Sequence, residues 1–147
     1  MKFKKQDITT VKNGIVIHGV NCQGAMGSGV AKAIKDKWPI IYSKYLDNGK
    51  GRHLLGTCHI ITVSDDLYVG NCYTQEFFGA GEKKYASVEA IKSSLEGVFS
   101  WASTLGLTIH SPMIGCGLGG LTWEEVKPVY EAAIKKHEYG DVIIYTI

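Results

Sequence analysis

An apolar run that passes through glycines into helix-forming residues constrains this chain more than any other feature. From Ile15 to Ile34 it reads IVIHGVNCQGAMGSGVAKAI. Ile15, Val16, Ile17 and Val20 have strand character, and Gly24, Gly27 and Gly29 follow. Val30, Ala31, Ala33 and Ile34 then suit a helix. A strand feeding a glycine-rich turn that opens a helix is a common way to build an anion site. Glycines let the backbone approach a phosphate, and the unpaired N–H groups of the helix start point at it. The spacing from Gly24, G-x-x-G-x-G, is neither the dinucleotide nor the P-loop pattern. A purely structural turn therefore stays open at this point.

Local patterns predict the remaining elements. Met1–Lys5 reads as a charged edge strand, and Asp7-Ile8-Thr9-Thr10 as a polar turn before Asn13-Gly14. Ile15–Asn21 has the near-continuous apolar character of a central strand covered on both faces. A helix from Gly29 should stop near Trp38, because Pro39 disfavours helix in the residue before it. Ile41, Tyr42 and Tyr45 suggest a second short helix ending by Asn48-Gly49. Leu55–Val63 and Leu67–Cys72 read as strands of a hairpin. Tyr73–Lys83 reads as a loop whose two aromatics form either a ligand wall or a hydrophobic anchor.

Val88, Ile91, Leu95, Val98 and Ala102 recur at helical steps, which predicts a helix over Tyr85–Ser103. Leu107–Met113 is a strand leading into a second glycine loop, Ile114-Gly115-Cys116-Gly117-Leu118-Gly119-Gly120-Leu121. Thr122 and Glu125 form a capping-box pattern for a helix to His137. Pro128 would kink that helix or make its first turn irregular. Asp141–Ile147 closes the chain as a buried strand.

Strands alternating with helices predict an α/β fold: a mixed, mainly parallel sheet with helices on both faces. Ligands of such sheets bind beyond the carboxyl ends of the strands. Both glycine loops leave strands for helices, so they can share that edge and hold a diphosphate by backbone N–H groups.

At 147 residues the chain fits one domain, and with 45% hydrophobic and 20% charged residues it has an ordinary globular balance. A formal net charge of +2 is too slight to indicate nucleic-acid binding. No apolar run reaches membrane-span length and no signal-peptide core follows MKFKKQ, so the expected compartment is cytoplasmic. Cys22, Cys58, Cys72 and Cys116 lack any C-x-x-C pairing and read as small buried residues. His18 and Cys22 have no second ligand pair at zinc-like spacing, so no metal site is expected.

At the two loops the chain resembles the macrodomain family of ADP-ribose-binding proteins. Asp7-Ile8, the V-N-C-x-G-x-M-G-S-G-V-A segment at Val20–Ala31, I-G-C-G-L-G-G-L at Ile114–Leu121 and the closing VIIYTI carry the resemblance. I-H-x-x-N-C, P-x-x-Y-x-K-Y and L-L-G-x-C resemble the ADP-ribose 1''-phosphate phosphatase branch. The resemblance implies a three-layer α/β/α fold spanning 1–147. It implies a small-molecule substrate, ADP-ribose or its 1''-phosphate, with an ADP-ribosylated macromolecule as a further partner. A monomer working without cofactor, metal or membrane is expected.

Position by position, the resemblance implies that Asp7 accepts from the adenine amino group beside Ile8. Without a ligand, Asp7 would be a solvated cap. Asn21 would touch the distal ribose, and Gly24, Met26, Gly27, Ser28, Gly29 and Val30 would line that ribose and the phosphate. Gly115, Cys116, Gly117, Leu118, Gly119 and Gly120 would wrap the diphosphate, and Tyr145 would pack on adenine or sit in the core. His18 is the candidate catalytic residue, as general base, general acid or nucleophile if it titrates near neutrality, with Asn21 beside it. The alternative for His18 is burial with a simple hydrogen bond. Hydrolases acting on protein glutamate use a lysine and an aspartate where this chain carries Gln75 and Gly119, and the first loop lacks a G-G-G run. Phosphate removal is the favoured activity; ADP-ribosyl hydrolysis, ADP-ribose reading without catalysis, and generic nucleotide binding compete with it.

Overall fold

The computed structural model describes residues 1–78 and 85–146. Residues 79–83 of the expected aromatic loop, and Ile147 of the closing strand, lie outside the described residues.

Ten main elements follow one another: β1 Lys2–Lys5, β2 Gly14–Asn21, α1 Gly29–Lys37, α2 Pro39–Asp47, β3 Cys58–Thr62, β4 Leu67–Gln75, α3 Val88–Leu105, β5 Ile109–Pro112, α4 Trp123–His137 and β6 Val142–Thr146. Short 3-10 turns at Ile8–Thr10 and Arg52–Leu54 complete the described residues. The strands form one sheet in the order β1-β6-β5-β2-β4-β3. Among these described strands every pairing is parallel except the β3–β4 hairpin. The sheet is thus mixed and mainly parallel, as the alternation of strands and helices predicts.

Because successive strand side chains point to opposite faces, β2 feeds two separate cores. Ile15 and Ile17 pack with Leu95, Val98, Phe99, Val126 and Tyr130 from α3 and α4. Val16 and Val20 pack with Ile34, Ile41 and Tyr45 from α1 and α2. Two helices on each face give the three-layer arrangement.

The element ends have local causes. Ser87 caps α3 by accepting from Ala90 N at 3.2 Å, so the helix begins after Tyr85 and Ala86 rather than at them. Those two residues instead donate to the Gly119 carbonyl, each at 3.0 Å. The left-handed Gly106, at φ 68°, ends the same helix. Thr122 and Glu125 form the expected capping box on α4, and the helix continues through Pro128. Its first turn is tightened, with Glu125 N reaching Thr122 O at 3.1 Å.

β4 runs three residues beyond the expected Cys72, because Tyr73 and Gln75 still pair with Val20 and Asn21. Thr74 is the extra residue of a bulge there, which re-aims the ends of both central strands. Cys22 and Cys72 are buried as expected, whereas Cys58 and Cys116 are half-buried; all four are free thiols.

Candidate functional site

The bulge stands at the floor of a cavity of about 740 Å³ beyond the carboxyl ends of β2 and β5. One wall comes from the end of β2 and the first glycine loop: Asn21, Ala25, Gly27, Ser28, Gly29 and Val30. The facing wall is Pro112–Leu118, from β5 into the second glycine loop. Gln75 and the exposed Phe78 close the side. The two glycine segments, remote in sequence, meet across one space.

The start of α1 is prepared for an anion. Ser28 occupies the N-cap position with extended backbone, yet makes no side-chain cap bond. Ser87 and Thr122, at the equivalent positions of α3 and α4, both do. Among the described residues the first N–H groups of α1 therefore have neither an intrahelical acceptor nor a side-chain cap. Gly29, Val30 and Ala31, which carry them, line the cavity. On the other wall Gly115 and Gly117 have φ of 81° and 116°, backbone that favours glycine. That curvature folds the loop around the cavity.

Asn21 organises the first loop from within. Its Oδ1 accepts from Gln23 N at 2.9 Å, Ala25 N at 3.3 Å and the Tyr45 hydroxyl at 2.8 Å. Its Nδ2 donates to Ala25 O at 2.8 Å. One buried amide thus replaces the ladder that ends where β2 ends.

Several candidate residues sit elsewhere. His18 does not reach the cavity. It lies wholly buried on the α1/α2 face of β2, with Nε2 2.5 Å from Asn71 Oδ1. Burial drives its pKa down to about 4, only partly offset by the Asn71 bond. The imidazole is neutral at physiological pH, and its placement matches the buried, hydrogen-bonded alternative to the catalytic one. Met26 is a core residue beneath the first loop, packed with Val20, Ile34 and Tyr45. Gly24 does not line the cavity, and a side chain there would meet the Lys50 stem.

Gly119 and Gly120 lie under the second loop rather than on the cavity wall. The Gly119 carbonyl anchors Tyr85 and Ala86, and Gly120 N donates to Gly117 O. Tyr145 is buried with its hydroxyl 2.6 Å from His110 Nδ1, so it belongs to the core. Ile8 is also a core residue. Asp7 caps the 3-10 turn at Ile8–Thr10, its Oδ1 accepting from Thr9 N and Thr9 Oγ1. These bonds hold its carboxyl below the usual range, and Oδ2 stays outside the cap.

Among the described residues the cavity offers few side chains capable of proton transfer. Burial pushes the Cys116 thiol up, and the Glu125 carboxylate adds to the effect. Cys22 is raised likewise, by burial and then by Glu76. Gln75 spends its Nε2 on Phe77 O at 2.7 Å. Among the described residues no group of three His, Cys, Asp or Glu side chains could hold a metal ion. None of the described helices is long and apolar enough to cross a membrane. Among the described residues the site offers shape, main-chain N–H groups and the uncapped end of a helix. Sequence reasoning did not name Tyr45 or Pro112–Ile114 as site residues; Tyr45 closes the P-x-x-Y-x-K-Y motif, but a motif does not show which core residue turns a hydroxyl toward a loop.

Known proteins resemble this arrangement. An ADP-ribose 1''-phosphate phosphatase of Meyerozyma guilliermondii is 28% identical over 94% of each chain. A DNA ADP-ribosyl glycohydrolase of Mycobacterium tuberculosis is 25% identical over 95% of this chain, which spans 40% of that protein's length. The solved macrodomain of Mycobacterium tuberculosis DarG superposes with a TM-score of 0.83 at 22% identity, covering 99% of this chain and 97% of that one. The family described as Macro domain matches residues 17–130, from inside β2 to inside α4 and across both glycine loops. This chain belongs to the Macro domain family.

Proposed function

We propose that the protein binds ADP-ribose in the cavity between its glycine loops and hydrolyses the terminal phosphate of ADP-ribose 1''-phosphate. The observation that carries the binding half is the uncapped N-terminus of α1, opening beside Asn21 and opposite Gly115–Leu118. A diphosphate needs such backbone donors more than it needs lysines. Gly27, Ser28, Gly29 and Val30 hold one side of the diphosphate and the distal ribose, and Gly115–Leu118 hold the other. Asp7 receives the adenine amino group on its outer oxygen, at the same edge of the sheet.

The catalytic half rests on the likeness to the Meyerozyma phosphatase. Water adds to phosphorus, the bond from phosphorus to the ribose oxygen breaks, and that oxygen takes a proton. The products are ADP-ribose and inorganic phosphate. The charge that builds on the phosphoryl oxygens is stabilised by preorganised main-chain N–H groups. In this reading His18 has no part in the step, because it is buried and does not line the cavity.

A second reading, removal of ADP-ribose from a modified macromolecule, is favoured by the likeness to the Mycobacterium glycohydrolase. Against a lysine–aspartate mechanism stand Gln75 and Gly119. A Cβ at position 119 would already lie 2.7 Å from the Gly115 carbonyl, so no aspartate fits there. Purified protein incubated with ADP-ribose 1''-phosphate is expected to release inorganic phosphate, with and without a chelator. Release no greater than from heat-killed protein ends the phosphatase reading. Loss of label from ADP-ribosylated DNA would then favour the second, and tight ADP-ribose binding with no turnover would make the protein a reader.

A further inference from the structure

We infer that Tyr45 is the positioning residue of the site: its buried hydroxyl, presented by α2, sets the conformation of the first glycine loop. Nothing in the loop's own sequence points to it, since it lies 24 residues beyond Asn21.

The geometry is that of a single hydroxyl serving several main-chain and side-chain groups. Tyr45 Oη lies 2.5 Å from Asn21 O and 2.8 Å from Asn21 Oδ1, and it can donate to either. It accepts from Gly24 N at 3.2 Å. The loop 21–25 thus closes on Tyr45 at both ends, and Asn21 ties Gln23 and Ala25 into the same knot. The ring is fully buried, packed 5.9 Å from the Tyr73 ring, so the hydroxyl cannot swing away. Burial pushes its pKa far up, so it remains a protonated donor throughout the physiological range.

The start of α2 explains how the hydroxyl comes to be there. Pro39 sits at the first helical position, where its missing N–H costs nothing, and starts a new helix directly after Trp38 ends α1. Tyr45 lies on the buried side of that helix with Ile41. The consequence for function follows from chain order. Asn21 and Ala25 line the cavity wall, and Gly27–Val30 continue from them into the uncapped start of α1. Whatever fixes 21–25 fixes where those N–H groups point.

The inference rests on the ADP-ribose reading for its ligand, but its first test does not. Tyr45→Phe removes the oxygen and keeps the ring. Tyr73→Phe is the matched control, since Tyr73 is equally buried in the same core and its hydroxyl accepts from Asn48 Nδ2 at 3.0 Å. In ligand-free protein, amide exchange at Gly24 and Ala25 is expected to rise at least tenfold in Tyr45→Phe and to stay within twofold in Tyr73→Phe. Unchanged exchange in Tyr45→Phe, or an equal rise in both variants, overturns the inference whatever the ligand does.

With ligand, calorimetry should show about a tenfold loss of ADP-ribose affinity in Tyr45→Phe. AMP, which lacks the distal ribose, should bind within twofold of wild type. Equal losses for both ligands would mark Tyr45 as merely structural. Wild-type protein that takes up no ADP-ribose would sink the nucleotide reading instead, and the exchange result would still decide the role of Tyr45.

Discussion

His18 Nε2 and Asn71 Oδ1 meet at 2.5 Å inside the sheet, on paired positions of β2 and β4. The carbonyl oxygen accepts, so the imidazole carries its proton on Nε2. This pair makes stability depend on pH in a definite direction. An unfolded histidine titrates near 6.5, whereas His18 in the folded chain titrates near 4. Above pH 6.5 both states are neutral and nothing is lost. As pH falls from 6.5 towards 4, the unfolded chain takes a proton that the folded chain refuses, so stability falls. At roughly 1.4 kcal/mol per pH unit this amounts to about 3 kcal/mol. Burial lowers His110 and His59 as well, so they act in the same sense. Urea unfolding between pH 7.5 and 4.5 should show the loss. His18→Leu should shallow the slope by close to one proton; an unchanged slope would refute the assignment.

The same histidine shows where sequence stops being informative. The apolar run Ile15–Val20 declares a central strand, and Thr122 with Glu125 declares a capped helix, because both signals are local. The meeting of the two glycine loops is legible too, since both leave parallel strands at their carboxyl ends. Facing is another matter. Gly27 and Gly119 look alike in the sequence, yet one lines the cavity and the other lies under a loop against Ala86. His18 and Asn21 are three residues apart, but Asn21, beside the bulge, lines the cavity while His18 is wholly buried against Asn71. Such differences depend on neighbours distant in sequence, which no spacing rule contains.

The two glycines make a paired prediction. A Cβ on Gly119 would lie 2.7 Å from the Gly115 carbonyl oxygen and 2.9 Å from Ala86 Cβ, and backbone cannot step aside cheaply. Gly119→Ala should cost about 1–3 kcal/mol and weaken ADP-ribose binding by displacing the second loop. At Gly27 a Cβ meets nothing within 4 Å, and the position has no left-handed strain. Gly27→Ala should change stability by no more than about 0.5 kcal/mol. Thermal melts of the two variants check the contrast, and equal destabilisation would contradict it.

Tyr145→Phe should reduce stability without touching ligand affinity. His110 Nε2 lies 3.0 Å from the Asn13 carbonyl, to which it must donate. Nδ1 is then the acceptor for the Tyr145 hydroxyl at 2.6 Å. Removing that hydroxyl leaves a buried ring nitrogen without its donor, at a cost of about 1–2 kcal/mol. Urea unfolding should register this cost, while calorimetry with ADP-ribose stays within twofold of wild type. A large loss of affinity would instead return Tyr145 to the adenine site.

Cys116 is the side chain most easily mistaken for a nucleophile, because it is half-buried on the cavity wall between two glycines. A thiol attacks phosphorus or an alkylating agent as its thiolate, so its reactivity follows its pKa. Here burial and the Glu125 carboxylate both raise that value. The thiol also leans on the Ile114 carbonyl at 3.7 Å, a contact that favours the protonated form. Cys116→Ser keeps the shape in a slightly smaller side chain and supplies a hydroxyl donor, but removes the sulfur. Phosphate release by this variant should stay within about threefold of wild type, and iodoacetamide should modify wild-type Cys116 more slowly than free cysteine at pH 7.5. Bound ADP-ribose should slow that modification further, because the ligand would occupy the space in front of the sulfur. Abolished turnover in Cys116→Ser, with binding intact, would make the thiol a participant and displace the main-chain N–H groups from their place as the principal source of stabilisation.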